Sequence, residues 1–536
     1  MIETVTRIIA SVVCALLFCC ATAKTVGAMQ QSGYKNAGFL RWLKRKDNLL
    51  FNRLCVLSLC LALATAITAL CFSFLGTEIA LIASGVVFCL FLVFFLISDG
   101  KYALKVPAKR TGRFCRLFAV YLLITACVNY LFIALLSFLS VWNGSKVYAL
   151  IAYVPFAVMP IILPFLLCEA NAVTGIFENA RNAKFVKTAK QVLNETKIIR
   201  IGVVGSYGKT SVKNILKTLL SEKYTVLATP ESYNTPMGIA KTVLENTQPQ
   251  QSQVFIAEMG ARKAGDIQEL CSLVNPDYAV FTGICEQHVA SFGSLDNVWA
   301  EKSAIFRSNA QKVICGDGLK ERVSSMDEEA AKKAVFAGAG YVEDVSFEAT
   351  KTSFTLCFQG EKKRVETSLL GNAAVENILL AATLAYEMGL TLQEIANGVA
   401  KLQPVEHRLQ LLQANGVYIL DDGYNCNIKG AGEAIAALTR FSGRKCIVTP
   451  GIVECGVLEE MINGELGEKI AKASLDKVIL VGETLVGAVK QGYLQAGGSS
   501  ENLAQTQTLT KAQDILQEWL QQGDCVLFLN DLPDVY

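Results

Sequence analysis

The chain has 536 residues, 52% of them hydrophobic, and a formal net charge of +3. Its length allows about three or four domains, and so small a charge excludes the global basic field that holds nucleic acid. A mean hydropathy of +0.37 excludes an ordinary soluble enzyme, because the apolar excess is concentrated in the first third.

Uncharged runs cover Ile8 to Ala23, Leu54 to Leu75, Ile79 to Ser98, Leu117 to Trp142 and Val147 to Cys168. A bilayer core needs about 20 apolar residues per helix. Four runs meet this comfortably and the first is short. The loops alternate in charge. Lys24, Lys35, Arg41, Lys44, Arg45, Lys46 and Arg53 follow the first run, and Lys101, Lys105, Lys109, Arg110, Arg113 and Arg116 follow the third. Arg181, Lys184, Lys187 and Lys190 follow the fifth, whereas the other two loops carry only Lys146. Basic loops stay in the cytoplasm, which predicts five transmembrane helices with the N-terminus outside and the large C-terminal part in the cytoplasm. The competing reading of the first run is a signal peptide cut after Ala21–Ala23. It would export the basic loop that follows, against the charge rule. Pro155, Pro160 and Pro164 are expected to break the hydrogen-bond ladder of the fifth run. Such breaks fit either a lipid or substrate groove or a merely kinked span. The 18 cysteines include no CxxC pair, so they read as small buried hydrophobes in a reducing compartment rather than a zinc site or disulfide framework.

A linker is expected over residues 169–197. From Ile198 onward the apolar runs shorten to strand length: "IIRIGVV", "VFIAE", "YAVFTGI", "KCIVTP", "KVILVG" and "CVLFLN". Helical patterns such as Val375 to Met388 and Gly464 to Ser474 lie between them. Short buried strands alternating with helices predict parallel sheets covered on both faces. The expected fold class is therefore a membrane α-helical bundle (residues 1–168) followed by two α/β domains, residues 198–403 and 404–536, split near Pro404.

"IRIGVVGSYGKTSVKNILKTLL" reads as strand, glycine turn, helix. Gly205 and Gly208 let the backbone close around phosphate oxygens, and the helix N-terminus adds its positive end. Lys209 is placed for the β and γ phosphates and the Thr210 hydroxyl for Mg²⁺. Gly205, Ser206, Gly208, Lys209, Thr210 and Ser211 are the expected ATP contacts. Glu258, at the tip of the "VFIAE" strand, is the expected metal-binding acid.

The order and wording of these blocks resemble the Mur ligases, ATP-dependent amide-forming enzymes of bacterial cell-wall synthesis. The resemblance covers the last two-thirds of the chain. "GSYGKTS" is similar to the family's ATP loop, and "TPESYNTPMGIA" places Asn234 at the family's asparagine. "EMGARKAGDI" looks like its metal-binding glutamate strand. "HVASFGSLDNVWAEKSAIF" resembles the block with a metal-binding histidine and a carbamoylated lysine, which implies those roles for His288 and Lys302. Arg408 in "EHRLQ" matches an ATP-binding arginine, and "DDGYNCN" implies a nucleotide-contacting acid at Asp422. The wording is nearest the branch that adds D-alanyl-D-alanine to a UDP-linked tripeptide. The resemblance implies a central phosphate-loop ATPase domain and a C-terminal Rossmann-like domain. Lys209, Lys302 and His288 are the implied catalytic residues; Thr210, Glu258, His288 and Lys302 are the implied metal set. ATP, Mg²⁺, a carboxylate-bearing peptide and an amino-acid or dipeptide amine are the implied partners.

Four departures stand beside the match, one of them the "LNDLPDVY" segment, where the resemblance implies a glycine-serine-arginine type segment. The block usually written G-x-H-N-x-x-N reads "GNAAVEN", so Gly371 and Asn377 remain while Ala373 and Ala374 replace the histidine and asparagine. After Lys302, "KSAIF" lacks an acidic residue. The soluble UDP-sugar domain is absent, and the apolar runs stand in its place. A carboxylate carried on a membrane lipid is therefore a further expected substrate. Two alternatives are a poly-γ-glutamate-type synthetase, whose relatives often lack a third domain, and a transport ATPase, for which no LSGGQ-like signature is present. His407 has no motif context and reads as a neighbour orienting Arg408. The whole predicts a multi-pass protein of a bacterial cytoplasmic membrane with no nucleic-acid partner.

Overall fold

A computed structural model describes residues 2–44, 49–100, 108–142, 153–231, 233–245, 251–285, 292–424, 427–453, 455, 458–483 and 485–529. The chain divides into two compact units, residues 1–183 and 184–534.

The first unit is helical: α1 Ile2–Ala21, α2 Ala23–Gln31, α3 Asn36–Leu43, α4 Leu49–Phe72, α5 Thr77–Gly100 and α6 Gly112–Trp142, followed by α7 Val154–Glu195, which runs on past its end. Among the described residues five helices are long and apolar enough to cross a membrane: Thr4–Ala21, Phe51–Leu75, Thr77–Ser98, Gly112–Phe138 and Val154–Glu195. Phe18, Leu61, Phe88, Leu117, Tyr121, Met159 and Leu163 form the interior of this unit. Leu70, Ile82, Phe94, Leu131 and Phe138 point outward and are well exposed, an apolar exterior that water disfavours and hydrocarbon does not. Pro160 and Pro164 lie inside a continuous helix; each removes one N–H donor without ending the helix. The segment 169–197, expected as a linker, is helical through Glu195.

In the second unit the buried runs become strands. The first sheet has the order β2-β3-β1-β4-β5-β6, with β1 Ile199–Val204, β2 Val226–Ala228, β3 Val254–Glu258, β4 Tyr278–Phe281, β5 Lys312–Gly316 and β6 Ala334–Ala337. All its pairings are parallel. Alternate residues face opposite sides of a strand. Val254 and Ile256 pack with Val212, Ile215, Leu216 and Leu219 of α8 (Lys209–Leu220) and with Ile378 and Leu379. Phe255 and Ala257 pack on the other side with Ile267, Phe281, Phe306 and the last turns of α7, Ala189 and Leu193. This register puts Glu258 on the α8 face.

A three-stranded antiparallel sheet follows, β7 Val342–Phe347, β8 Thr352–Phe358 and β9 Glu361–Thr367. No apolar run announces it, since β7 and β9 are mostly exposed. The last sheet has the order β10-β11-β15-β12-β13-β14, with β10 Gln410–Ala414, β11 Val417–Asp422, β12 Lys445–Thr449, β13 Lys477–Val481, β14 Leu503–Thr506 and β15 Cys525–Leu529. It is parallel except for the β10–β11 hairpin. Asn415 and Gly416 both have positive φ there, the conformation a two-residue hairpin turn requires.

Candidate active site

The phosphate loop leaves β1 and enters α8 through two glycines in the positive-φ region, Gly205 at 155° and Gly208 at 71°. A Cβ on Gly205 would run into the Thr282 hydroxyl, and one on Gly208 would lie 2.7 Å from Asn377 Oδ1. The Ser206 amide donates to the Gly283 carbonyl at 2.8 Å, fixing the loop against the end of β4. Ser206 Oγ is buried and has no partner. An orphaned hydroxyl inside a glycine turn at a helix N-terminus suits an anion, so the residues present fit a nucleotide phosphate.

Lys209 Nζ donates to the Gly205 carbonyl at 2.9 Å and to Ser206 O at 3.4 Å. Lys302, at the end of α9 (Leu295–Lys302), is only 1% exposed and donates to the same Gly205 carbonyl at 2.8 Å. Burial lowers the pKa of both lysines. For Lys302 burial acts first and the neighbouring Lys209 charge second, bringing it to about 7. Next to Lys302, Glu301 accepts the amides of Gly265 and Ile267, both at 2.7 Å, and so caps the helix Asp266–Val274.

Glu258 is 1% exposed. Its Oε2 accepts from Thr210 Oγ1 at 2.9 Å and Lys213 Nζ at 3.2 Å, its Oε1 from Asn234 Nδ2 at 3.2 Å. Thr210 and Lys213 lie one helical turn apart on α8, so they meet the same carboxylate. Hard oxygen donors from one carboxylate and one hydroxyl beside a phosphate site suit Mg²⁺, which draws further ligands from phosphates and water. Among the described residues no three His, Cys, Asp or Glu gather into a metal cluster. His288 lies outside the described residues.

The remaining expected residues line a cavity of about 290 Å³ that continues from the loop. Gly208, Ser211, Asn377, Ala373 and Ala374 line it from the first α/β domain, Arg408, Asp422, Tyr424 and Lys429 from the second. The Arg408 guanidinium stacks 4.1 Å from the Tyr424 ring centroid, and Asp422 Oδ1 accepts the Leu409 amide at 3.0 Å. His407 Nδ1 lies 2.7 Å from Asp421 Oδ2. Thus Gly205, Ser206, Gly208, Lys209, Thr210, Glu258 and Lys302 meet at the loop, with Ser211, Asn377, Arg408 and Asp422 along the cavity leading from it. Lys213 and Glu301 carried no signal in the sequence, since a helix lysine and a helix glutamate ordinarily face water.

A glycine turn ahead of a helix, a buried and a half-buried lysine and a hydroxyl–carboxylate pair define a phosphate-loop site for phosphoryl transfer. Residues 203–385 match the Mur ligase middle domain. The UDP-N-acetylmuramoyl-tripeptide–D-alanyl-D-alanine ligase of Bacillus subtilis is 29% identical over 362 residues, 63% of this chain and 74% of that enzyme. The enzyme of the same name from Escherichia coli is 30% identical over 297 residues, and the chain spans 64% of its length. MurF from Acinetobacter baumannii superposes with a TM-score of 0.59 at 24% identity, covering 65% of this chain and 77% of that one. MurF from Thermotoga maritima, solved with ADP, gives 0.57 at 24% identity, covering 65% of this chain and 80% of that one; these two likenesses concern the fold. Residues 203–385 thus carry a Mur ligase middle domain, and the chain is similar in sequence to MurF enzymes.

Proposed function

We propose that this chain is a membrane-held ligase that uses ATP to join a carboxylate to an amine. A substrate carboxylate oxygen attacks the γ-phosphorus and ADP leaves. The amine of an amino acid or a dipeptide such as D-alanyl-D-alanine then attacks the acyl phosphate, phosphate leaves, and the nitrogen gives up a proton. The observation that carries this reading is the meeting of Lys209 and Lys302 on the Gly205 carbonyl, beside the Thr210–Glu258 pair. Lys209 neutralises the phosphates, the hard step of such a transfer. Bound Mg²⁺ would be held by Thr210 and Glu258 and would supply further charge neutralisation. Lys302, with a pKa of about 7, offers a free amine that takes up CO₂ to become a carbamate. His288 belongs to the same metal set by resemblance.

The curated relatives named above make UDP-N-acetylmuramoyl-tripeptide the first acid to test. A second reading rests on a different observation: five helices of membrane-spanning length with exposed apolar residues. They favour a lipid-linked carboxylate met at the surface of a bacterial cytoplasmic membrane, with the catalytic domains in the cytoplasm. Purified protein in detergent is given ATP with the UDP-tripeptide or with lipid-linked acids, each with and without D-alanyl-D-alanine. A ligase releases ADP only when acid and amine are both present; release triggered by a solute without amide formation would overturn the ligase reading. Efficient turnover of the soluble UDP-tripeptide with lipid-linked acids ignored would remove the lipid reading alone.

A further inference from the structure

Lys213 takes no part in the chemistry just described, yet it is one of the largest fully buried side chains of the protein. Its ammonium has two partners. One is Glu258 Oε2 at 3.2 Å, the oxygen that also accepts from Thr210. The other is the Glu231 carbonyl, on a residue with φ of 41°. Asn234, three residues further along that segment, takes the other Glu258 oxygen at 3.2 Å. Thr229, which begins the segment, accepts the Glu258 amide at 3.1 Å. Lys213 thus ties the 229–234 segment and the tip of β3 into one assembly and neutralises a carboxylate that burial would otherwise penalise heavily.

We propose that Lys213 is a resident counter-cation, a positioning residue that holds Glu258 in place, so that the site takes a divalent cation only together with nucleotide. A carboxylate has about four lone-pair sites, and three are in use. A metal ion arriving alone must displace the ammonium from Oε2 or sit beside it, and like charges a few ångströms apart in a buried site repel strongly. The negative charge of a triphosphate offsets that repulsion. The inference rests on the reading of Glu258 and Thr210 as metal ligands.

The test is Mn²⁺ binding followed by electron paramagnetic resonance on the full chain in detergent, with and without a non-hydrolysable ATP analogue. Wild type is compared with Lys213→Met and Lys213→Gln. The glutamine variant keeps a donor for both partners and covers the case in which the methionine variant does not fold. Both variants are expected to bind Mn²⁺ alone at least about tenfold more tightly than wild type, and to differ less from it once nucleotide is present. A lysine with only a structural role would, on removal, weaken Mn²⁺ binding in both conditions. Unchanged or weaker Mn²⁺-alone binding in the variants overturns the proposal. So does wild type binding Mn²⁺ as tightly without nucleotide as with it. If wild type binds no Mn²⁺ even with the analogue, it is the metal reading itself that fails.

Discussion

Replacing Lys302 by methionine separates stability from activity. The side chain is 1% exposed, and its pKa falls from an ordinary 10.5 to about 7. That gap corresponds to about 5 kcal/mol at 1.36 kcal/mol per unit. Between pH 7 and 10.5 the unfolded chain holds the proton that the folded chain has released. Folding is therefore penalised in full below pH 7, and the penalty fades as the pH rises toward 10.5. Methionine removes the penalty and loses one hydrogen bond to Gly205 O, worth about 1 kcal/mol. A net gain of about 3 kcal/mol at pH 7 would raise the melting midpoint by roughly 5–10 °C. The gain should shrink toward nothing near pH 10. Scanning fluorimetry in CO₂-free buffer reads it, and turnover of the variant should fall by about 100-fold or more. Bicarbonate should raise the midpoint of wild type by mass action and leave the variant unmoved, because only wild type has an amine to trap CO₂. At pH 7.5 about three-quarters of Lys302 is free amine, against about one part in a thousand for an ordinary lysine. A midpoint that falls at pH 7, or rises equally at pH 7 and pH 10, would refute the reasoning.

Lys209→Ala should cost about 10²–10³ in turnover with the circular dichroism spectrum unchanged; normal ADP release would end its phosphate role. Glu258→Gln leaves the Lys213 ammonium buried without its counter-charge and should destabilise by about 3 kcal/mol, seen as a lower urea midpoint. Ser206→Ala removes a hydroxyl that has no partner, so stability should stay within about 0.5 kcal/mol while KM for ATP rises several-fold; an unchanged KM would mean that the hydroxyl does not meet phosphate. Arg408→Ala should raise KM for ATP about tenfold with a smaller effect on kcat, measured by initial rates; a loss confined to kcat would remove its nucleotide role.

The elements most visible in the sequence were those with one strong physical cause. "VFIAE" is wholly buried, so it reads as a strand at a glance, and its last residue reads as the acid at a strand tip. The phosphate loop was legible because glycine, lysine and threonine each have a separate chemical reason to stand where they do. Lys302 came only from resemblance; nothing in "AEKSAIF" by itself tells a buried lysine from a solvated one. Lys213 was illegible for the same reason, since its burial follows from the register that turns Glu258 toward α8. In the β7–β9 sheet, the exposed β7 and β9 carry no apolar run, and only β8 shows an alternation, through Phe354, Leu356 and Phe358, too short a signal to announce a sheet by itself. The prolines of α7 told of missing donors but not of their consequence, because a lost bond leaves a helix continuous where its neighbours hold it.

The order of the first sheet also governs how the enzyme is made. Its central strand, β1, is synthesised before both of its neighbours, β3 and β4. A ribosome delivering the chain at about 5–20 residues per second thus releases the ATP loop seconds before the strands that shape it. During that interval the apolar β1 has no partner, and parallel pairing between distant segments is slow. A nascent chain stalled before Phe281 would lack the Thr282 and Gly283 groups that brace the loop. The braced form of the loop should therefore arise in a series of stalled chains only once β4 and Gly283 have cleared the ribosome, and nucleotide affinity should rise again when Asn377, Arg408 and Asp422 have followed.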